Sequence, residues 1–523
     1  MSQKTPFDSD VTSGRNLSYW NQSAPSLSFS GLTSDLNTDV LIIGAGISGL
    51  TAAYCLLKAG KNVVVAEDGN IASGESGRTT AHLSCALDDR YHDLERIFGK
   101  ENSALAARSH KEAIAFIKDL VKMEKIDCNF KEVDGYLFRH ETDSDQNLDK
   151  EFEATTNAGL LTEMTKKVPG IQTVPGNRAI RFPFQAQFHA TKYLNGLANS
   201  IIGLGGKIYT QTKVTAIHSK GATANDFAIH ANHIIVATNS PINDIVTMHT
   251  KQAPYRTYAI AGKVEKGALP YALWWDTGDQ KSKWTSFPYR YIRLEPFDDE
   301  YDLLISGGED HKTGQAEAES LCEEMRYAKL ENWMREHFPA FKNVEYRWSG
   351  QVMEPVDCLA FIGKNPGDEN IYIITGDSGN GLTHGTIGGQ LICDMISGKK
   401  NPYEKLYDPS RISVSTAKDF LSEQGNVAKQ YLDWLSFEDG KGTEKLLPGQ
   451  GAIVGSALAK KAVYRDDDGN LNIFSAICPH LGCIVKWNND EKSFDCPCHG
   501  SRFDTNGDVL NGPSISGLKK LEH

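Results

Sequence analysis

The sequence predicts an α/β domain, interrupted by a β-rich domain and followed by a small all-β module. Three observations lead there. A strand, a glycine-rich turn, a helix and a second strand follow one another from Asp39 to Glu67. Aromatic and β-branched runs fill the middle of the chain, and four cysteines and two histidines crowd residues 477–504. With 523 residues the chain exceeds one typical core, so two or three domains are expected. A net charge of −12 argues against nucleic acid or an anionic membrane as partner. The N-terminus lacks a basic region followed by an apolar one, and no run is long and apolar enough for a membrane helix. A cytoplasmic protein without a transmembrane segment is the expectation.

The first element is "DVLIIGAGISGLTAAYCLLKAGKNVVVAED". Val40 to Ile43 form a short β-branched run, the mark of a buried strand. Gly44, Gly46 and Gly49 give G-x-G-x-x-G, and a helix follows, ending near Gly60. In this fingerprint Gly44 makes the tight turn, Gly46 admits a pyrophosphate and Gly49 lets helix and strand pack closely. The pyrophosphate rests on amides at the helix N-terminus, at Ile47 and Ser48, where the helix carries partial positive charge. Glu67, closing the second strand, is placed to accept from ribose hydroxyls. NAD and FAD both satisfy this pattern.

Later segments separate the two. "GESGRTTAHLS" (74–84), with Arg78 and Thr79, resembles the loop that wraps the flavin in the D-amino-acid oxidase-like family, which includes glycine and sarcosine oxidases. "TKVTAI" around Val214 and "HIIVATNSP" (233–241) resemble that family's adenine-side strand and third nucleotide-domain strand. "YIITGDSGNGLTHGTIGGQLICDMISG" (372–398) looks like its last flavin-binding element, where Gly376, Gly381, Leu382 and Thr383 would meet the flavin. The resemblance implies FAD. No second fingerprint of equal quality exists, so no separate NAD(P)H domain is expected. Some family members attach FAD covalently through a histidine at the position held here by Ala81; His82 falls one later, so a covalent link is not expected.

The C-terminal stretch pairs Cys478-x-His480 with Cys496-x-x-His499. Structural zinc sites favour C-x-x-C and H-x-x-x-H spacings, which are absent. "CPHLGC" and "CPCHGS" instead resemble a Rieske 2Fe-2S domain. The resemblance assigns Cys478, His480, Cys496 and His499 as metal ligands, and Cys483 and Cys498 as the disulfide that braces the cluster loops. Two neutral imidazoles in place of thiolates raise such a cluster's potential. Ser501 matches a serine that donates to cluster sulfide, whereas Phe503 stands where high-potential members carry a tyrosine, so an intermediate potential is expected. "GPSISGL" (512–518) resembles the loop that covers the cluster, and "AVYRDDDGNLNIF" reads as a hairpin. A Rieske oxygenase would also need two histidines and a carboxylate for a mononuclear iron, a pattern not found here.

Together these resemblances imply an α/β (α+β) FAD-binding Rossmann-like domain with an interleaved β-sheet substrate domain, plus a small all-β Rieske domain. The expected divisions are a lead-in at 1–37 anchored by Tyr19 and Trp20, and FAD-binding pieces at 38–87, 181–244 and 341–400. Substrate-domain pieces occupy 88–180 and 245–340, a helical linker 401–447 and the Rieske domain 448–523. In the linker, Phe420, Leu421, Ala428, Tyr431, Leu432 and Leu435 recur at helical spacing. Arg290 and Arg293, with Tyr289 and Tyr291, alternate along one strand expected to face the flavin, so one pair points inward. An inward arginine would suit a substrate carboxylate; a solvated sheet face is the other reading. His311 is a candidate acid/base group or a structural turn residue.

The family chemistry implies oxidation of a small amine or amino acid by FAD, followed by transfer through the cluster to a one-electron acceptor, protein or quinone. Two alternatives remain. The cluster could receive electrons from a ferredoxin-like donor for a flavin-driven reduction or hydroxylation, or the chain could be a non-catalytic electron carrier.

Overall fold

The computed structural model describes residues 12–243, 248–284, 286–412, 417–431, 443–455 and 459–522. Three bodies stack in it. The first is a sheet in the order Phe361–Lys364, Ile371–Thr375, Phe227–Val236, Leu36–Ile43, Val63–Ala66, Lys207–Tyr209. Along this order the pairings are parallel except that of Phe361–Lys364 with Ile371–Thr375, and an antiparallel pair, Val214–His218 and Gly221–Ala224, joins the sheet at Phe227–Val236. Such strands are covered on both faces, which is why they read as unbroken apolar runs. Val40, Leu41 and Ile42 are fully buried.

Helix Ile47–Lys58 covers one face and lies against helix Gly381–Ile396, far away in sequence. Their approach is close: a side chain on Gly389 would come within 2.6 Å of the Ala52 nitrogen. The two helices that present their N-termini to one cavity are thereby locked together.

The second body is a large, mostly antiparallel sheet. Its order is Tyr346–Pro355, Gln252–Glu265, Tyr301–Lys312, Tyr291–Pro296, Ala272–Asp276, Lys131–Phe138, Ala179–Gln187, His82–Leu83. Helix Glu323–His337 packs on its far side through Tyr327, Leu330 and Met334. Both faces are buried, so the strands lack a clean apolar–polar alternation. The lead-in is anchored as expected: Trp20 is fully buried, its indole N–H donates to the Thr79 carbonyl, and the Arg293 guanidinium lies over its ring.

The third body is all β. Strands Gln450–Val454, Lys461–Arg465 and Leu471–Ser475 form one sheet, and the last two make the expected hairpin. Lys486–Asn488, Ser493–Asp495, Arg502–Phe503 and Val509–Asn511 form another. Helix Ala417–Tyr431 precedes this module. Leu432, Leu435 and residues 436–442 of the expected linker lie outside the described residues. Among the described residues no helix is long and apolar enough to cross a membrane.

Candidate active site and its cluster module

The glycine turn works by exclusion. Gly44 has φ +106°, and a side chain there would strike the Ala237 carbonyl at 2.5 Å. At Gly49 a Cβ would lie 2.0 Å from the Gly44 oxygen, so only glycine lets the helix start this close to the strand. The Ala45 amide donates to Glu67 Oε2 at 2.6 Å, and the Gly69 amide donates to Oε1 at 3.0 Å. Burial, with help from Asp68, pushes the Glu67 carboxyl up to about 8. The amides, the closed turn and the buried acid fit an adenosine diphosphate moiety.

From this turn one continuous cavity runs to the second sheet. Gly44, Gly46, Ile47, Ser48, Glu67, Arg78, Thr79, Val214, Gly381 and Leu382 line it. Gly49 and Gly376 shape the turns behind that wall without lining it. Thr383 also lies outside it, its hydroxyl donating to the Asn380 carbonyl and contacting the His110 ring.

At the far end, position along the chain as well as phase decides which side chains enter, because strand Tyr291–Pro296 carries Tyr291 and Arg293 on one face, two residues apart. Tyr289 and Tyr291 line the cavity; Arg290 and Arg293 do not. Arg290 pairs with Asp276 and Glu309. Arg293 is fully buried, pairs with Glu295 and donates to the Ala81 and Phe188 carbonyls. Neither guanidinium is available to a substrate carboxylate, which corrects that expectation.

His311 is also outside the wall. Its Nδ1 donates to the Lys312 carbonyl, so Nε2 accepts from the Tyr258 hydroxyl at 2.9 Å. Burial and then Arg326 hold it well below the usual histidine range, so it is a neutral packing residue rather than an acid/base group. Its neighbour Asp310 enters the cavity instead, with Asp88, Glu354 and Asp377. Sequence reading missed all four acids.

In the C-terminal module the loops after Ala476 and after Asp495 bring Cys478, His480, Cys496 and His499 together. The His480 and His499 rings meet edge-on at 5.0 Å, and both thiols are buried and interact with each other. Cys483 and Cys498 form the expected disulfide, with Cα atoms 6.5 Å apart. His499 Nδ1 is buried without a hydrogen-bond partner. Burial and the neighbouring imidazoles of His249 and His480 push His499 down to about 3, so it is neutral, as a ligating imidazole must be. Two thiols, two imidazoles and a buried nitrogen left over fit a Rieske cluster. The Ser501 hydroxyl accepts from the Ser514 amide at 3.0 Å, tying the covering loop to the cluster loop, and Phe503 is fully buried.

The module is docked with its histidine edge inward. His249, on the approach to strand Gln252–Glu265, lies 4.8 Å from the His480 ring and 5.9 Å from that of His499. Gln351 lines the cavity while its amide donates to the Gly500 carbonyl, beside His499. Val509, Asn511, Gly512 and Ser514 form part of the cavity wall itself. Buried Glu491 accepts from Arg78 at 2.7 Å, from Ser349 at 2.5 Å and from the Asn16 amide at 3.0 Å. Arg78, expected at the flavin, thus turns its guanidinium to the cluster module.

Comparison with known proteins agrees with this architecture. The family model for FAD dependent oxidoreductases matches residues 39–395, and that for the Rieske [2Fe-2S] domain matches residues 443–522. A putative Rieske 2Fe-2S iron-sulfur protein, YhfW of Bacillus subtilis, is 32% identical, covering 96% of this chain and 97% of its own. The γ-glutamylputrescine oxidoreductase of Escherichia coli is 25% identical over 72% of this chain and 87% of its own. Among solved structures, L-proline dehydrogenase from P. horikoshii superposes with TM-score 0.57 at 20% identity, covering 73% of this chain and 98% of that one. Glycine oxidase from Bacillus cereus gives 0.56 at 18%, covering 72% and 99%. The chain belongs to the FAD-dependent oxidoreductase family and carries a C-terminal Rieske domain, so its cofactors are FAD and a 2Fe-2S cluster.

Proposed function

We propose that the protein is an amine or amino-acid dehydrogenase that sends substrate electrons through its own Rieske domain to an external one-electron acceptor. FAD, when bound, supplies two-electron oxidation of a C–H bond next to nitrogen, and the cluster relays single electrons. The carrying observation is that the Rieske loop 509–515 forms part of the wall of the cavity that holds the nucleotide fingerprint. In this reading Cys478, His480, Cys496 and His499 hold the cluster, and Gln351 and His249 link its histidine side to the flavin side.

The chain's other tasks follow from its geometry. The glycine turn and Glu67 hold the dinucleotide. The sheet bearing Thr257, Tyr291 and Trp275 closes the flavin face, excluding water and orienting the amine. No strong base is required of these side chains, because a neutral amine can give up its hydride directly.

Rapid mixing of holoprotein with a panel of small amines and amino acids under argon tests the reading. Bleaching of the flavin followed by cluster reduction is expected. A flavin reduced only by ferredoxin-like proteins, through the cluster, would point to current in the opposite direction.

A further inference from the structure

Asp88, Asp310, Glu354 and Asp377 reach the flavin end of the cavity from four separate segments. Among the described residues, none of them has a lysine or arginine within ion-pair distance. The Ser378 hydroxyl lies 2.8 Å from Glu354 and 2.9 Å from Asp89, one proton between two carboxyls. Asp310 Oδ1 and Asp377 Oδ1 are buried without a hydrogen-bond partner. Arg90, whose charge acts on Asp88, donates its hydrogen bonds to the Leu87 and Asp276 carbonyls.

Among the described residues, the basic side chains of the wall are Arg78, held by Glu491, Lys213, beside Val214 near the nucleotide end, and His82, which burial and then Arg293 push down to about 3, so that it carries no charge. A dinucleotide carries no positive charge to offer the four acids. Around them stand Trp275, Tyr289 and Tyr291, whose ring faces attract cations. Acids gathered this way without counterions are costly unless a ligand brings the charge.

We propose that the substrate is a cationic amine with no carboxylate, of the short α,ω-diamine class. One nitrogen sits beside the reacting carbon and the other, as ammonium, is held among the carboxyls and rings. The proposal rests on the dehydrogenase reading and narrows its substrate.

Three amines of equal chain length separate the possibilities: cadaverine, pentylamine and δ-aminovalerate, which differ only at the far end. Each is titrated into anaerobic holoprotein at matched ionic strength, and binding is read from the perturbed flavin absorbance. Cadaverine is expected to bind at least about tenfold more tightly than pentylamine, with δ-aminovalerate weakest, because a desolvated charge pair replaces an apolar contact. Asp310→Asn and Glu354→Gln should each weaken cadaverine about tenfold and leave pentylamine unmoved, with FAD content and cluster EPR signal intact. Equal or tighter binding of δ-aminovalerate, or variants that shift all three amines alike, overturns the proposal. Cadaverine that binds tightly yet leaves the flavin oxidised upholds the cationic class and removes the dehydrogenase reading. Flavin bleached by amino acids, without preference for cadaverine, does the reverse.

Discussion

Two places in this molecule bury charge, and they do so in opposite ways. At the seam between the flavoprotein and the Rieske domain, Glu491 is buried among Arg78, Arg256 and Arg502. Burial alone would raise its carboxyl, but the three guanidiniums overcome that and hold it at about 2. Arg502 also pairs with Asp495 at 3.1 Å and donates to the Ser13 carbonyl at 2.6 Å. In the cavity, burial acts on acids that lack such partners. It pushes Asp88 up to about 6 and Asp310 and Asp377 to about 7, and holds Glu354 well above the carboxylate range. Desolvation raises the carboxyl in both places; the partner decides the sign. Charge that is paired within the chain fixes two domains together, and charge left unpaired awaits something from outside.

The sharpest way to break the contrast is to make the seam resemble the cavity. Glu491→Ala leaves Arg78 and Arg256 buried without their counterion, which should cost about 3–5 kcal/mol. Urea unfolding should then show two transitions in place of one, as the Rieske domain comes away from the flavoprotein. A single transition at unchanged midpoint would mean the seam is held by other contacts.

The second effect is in pH, where the regions should respond oppositely. Asp310 titrates near 7 in the folded chain and near ~3.9 when unfolded. Its favourable contribution is therefore present below ~4 and lost as pH rises towards 7, by up to about 1.4 kcal/mol per pH unit for one such group. Glu491 contributes above the unfolded value of ~4.3 and loses its contribution as pH falls towards about 2. Substrate-free holoprotein should thus lose stability between about pH 4 and 7, and Asp310→Asn should flatten that slope. Thermal melts across that range check it.

The smallest effect concerns the link between the regions. Gln351→Leu removes the hydrogen bond to the Gly500 carbonyl, for about 1 kcal/mol of stability. It should slow cluster reduction in substrate mixing without changing how fast the flavin bleaches. Equal slowing of both would assign Gln351 to the substrate pocket instead.

How legible this was from sequence depends on how local each signal is. The Gly44–Glu67 unit and the Cys478–His480 and Cys496–His499 pairs are short-range patterns whose chemistry is written in a few consecutive residues. Between Tyr289 and Arg293 the pattern left open which pair enters, and a period of two puts Tyr291 and Arg293 on one face, so phase alone could not separate tyrosines from arginines. Both faces of the sheet are buried, so no polar face marks the outside, and the tyrosines rather than the arginines enter. The same ambiguity put His311 forward in place of Asp310, one residue away. The four acids come from distant segments, and Glu491 meets Arg78 across 413 residues. Such pairs have no signature until the chain is folded.

The central claim is that substrate electrons reach the cluster within one chain. Freeze-quench EPR on anaerobic holoprotein mixed with a reducing amine tests it most directly, run at several protein concentrations. A reduced Rieske signal that grows as the flavin is oxidised, at a rate independent of concentration, is the predicted result. A cluster that stays silent beside fully bleached flavin, or a rate that rises with protein concentration, would contradict it.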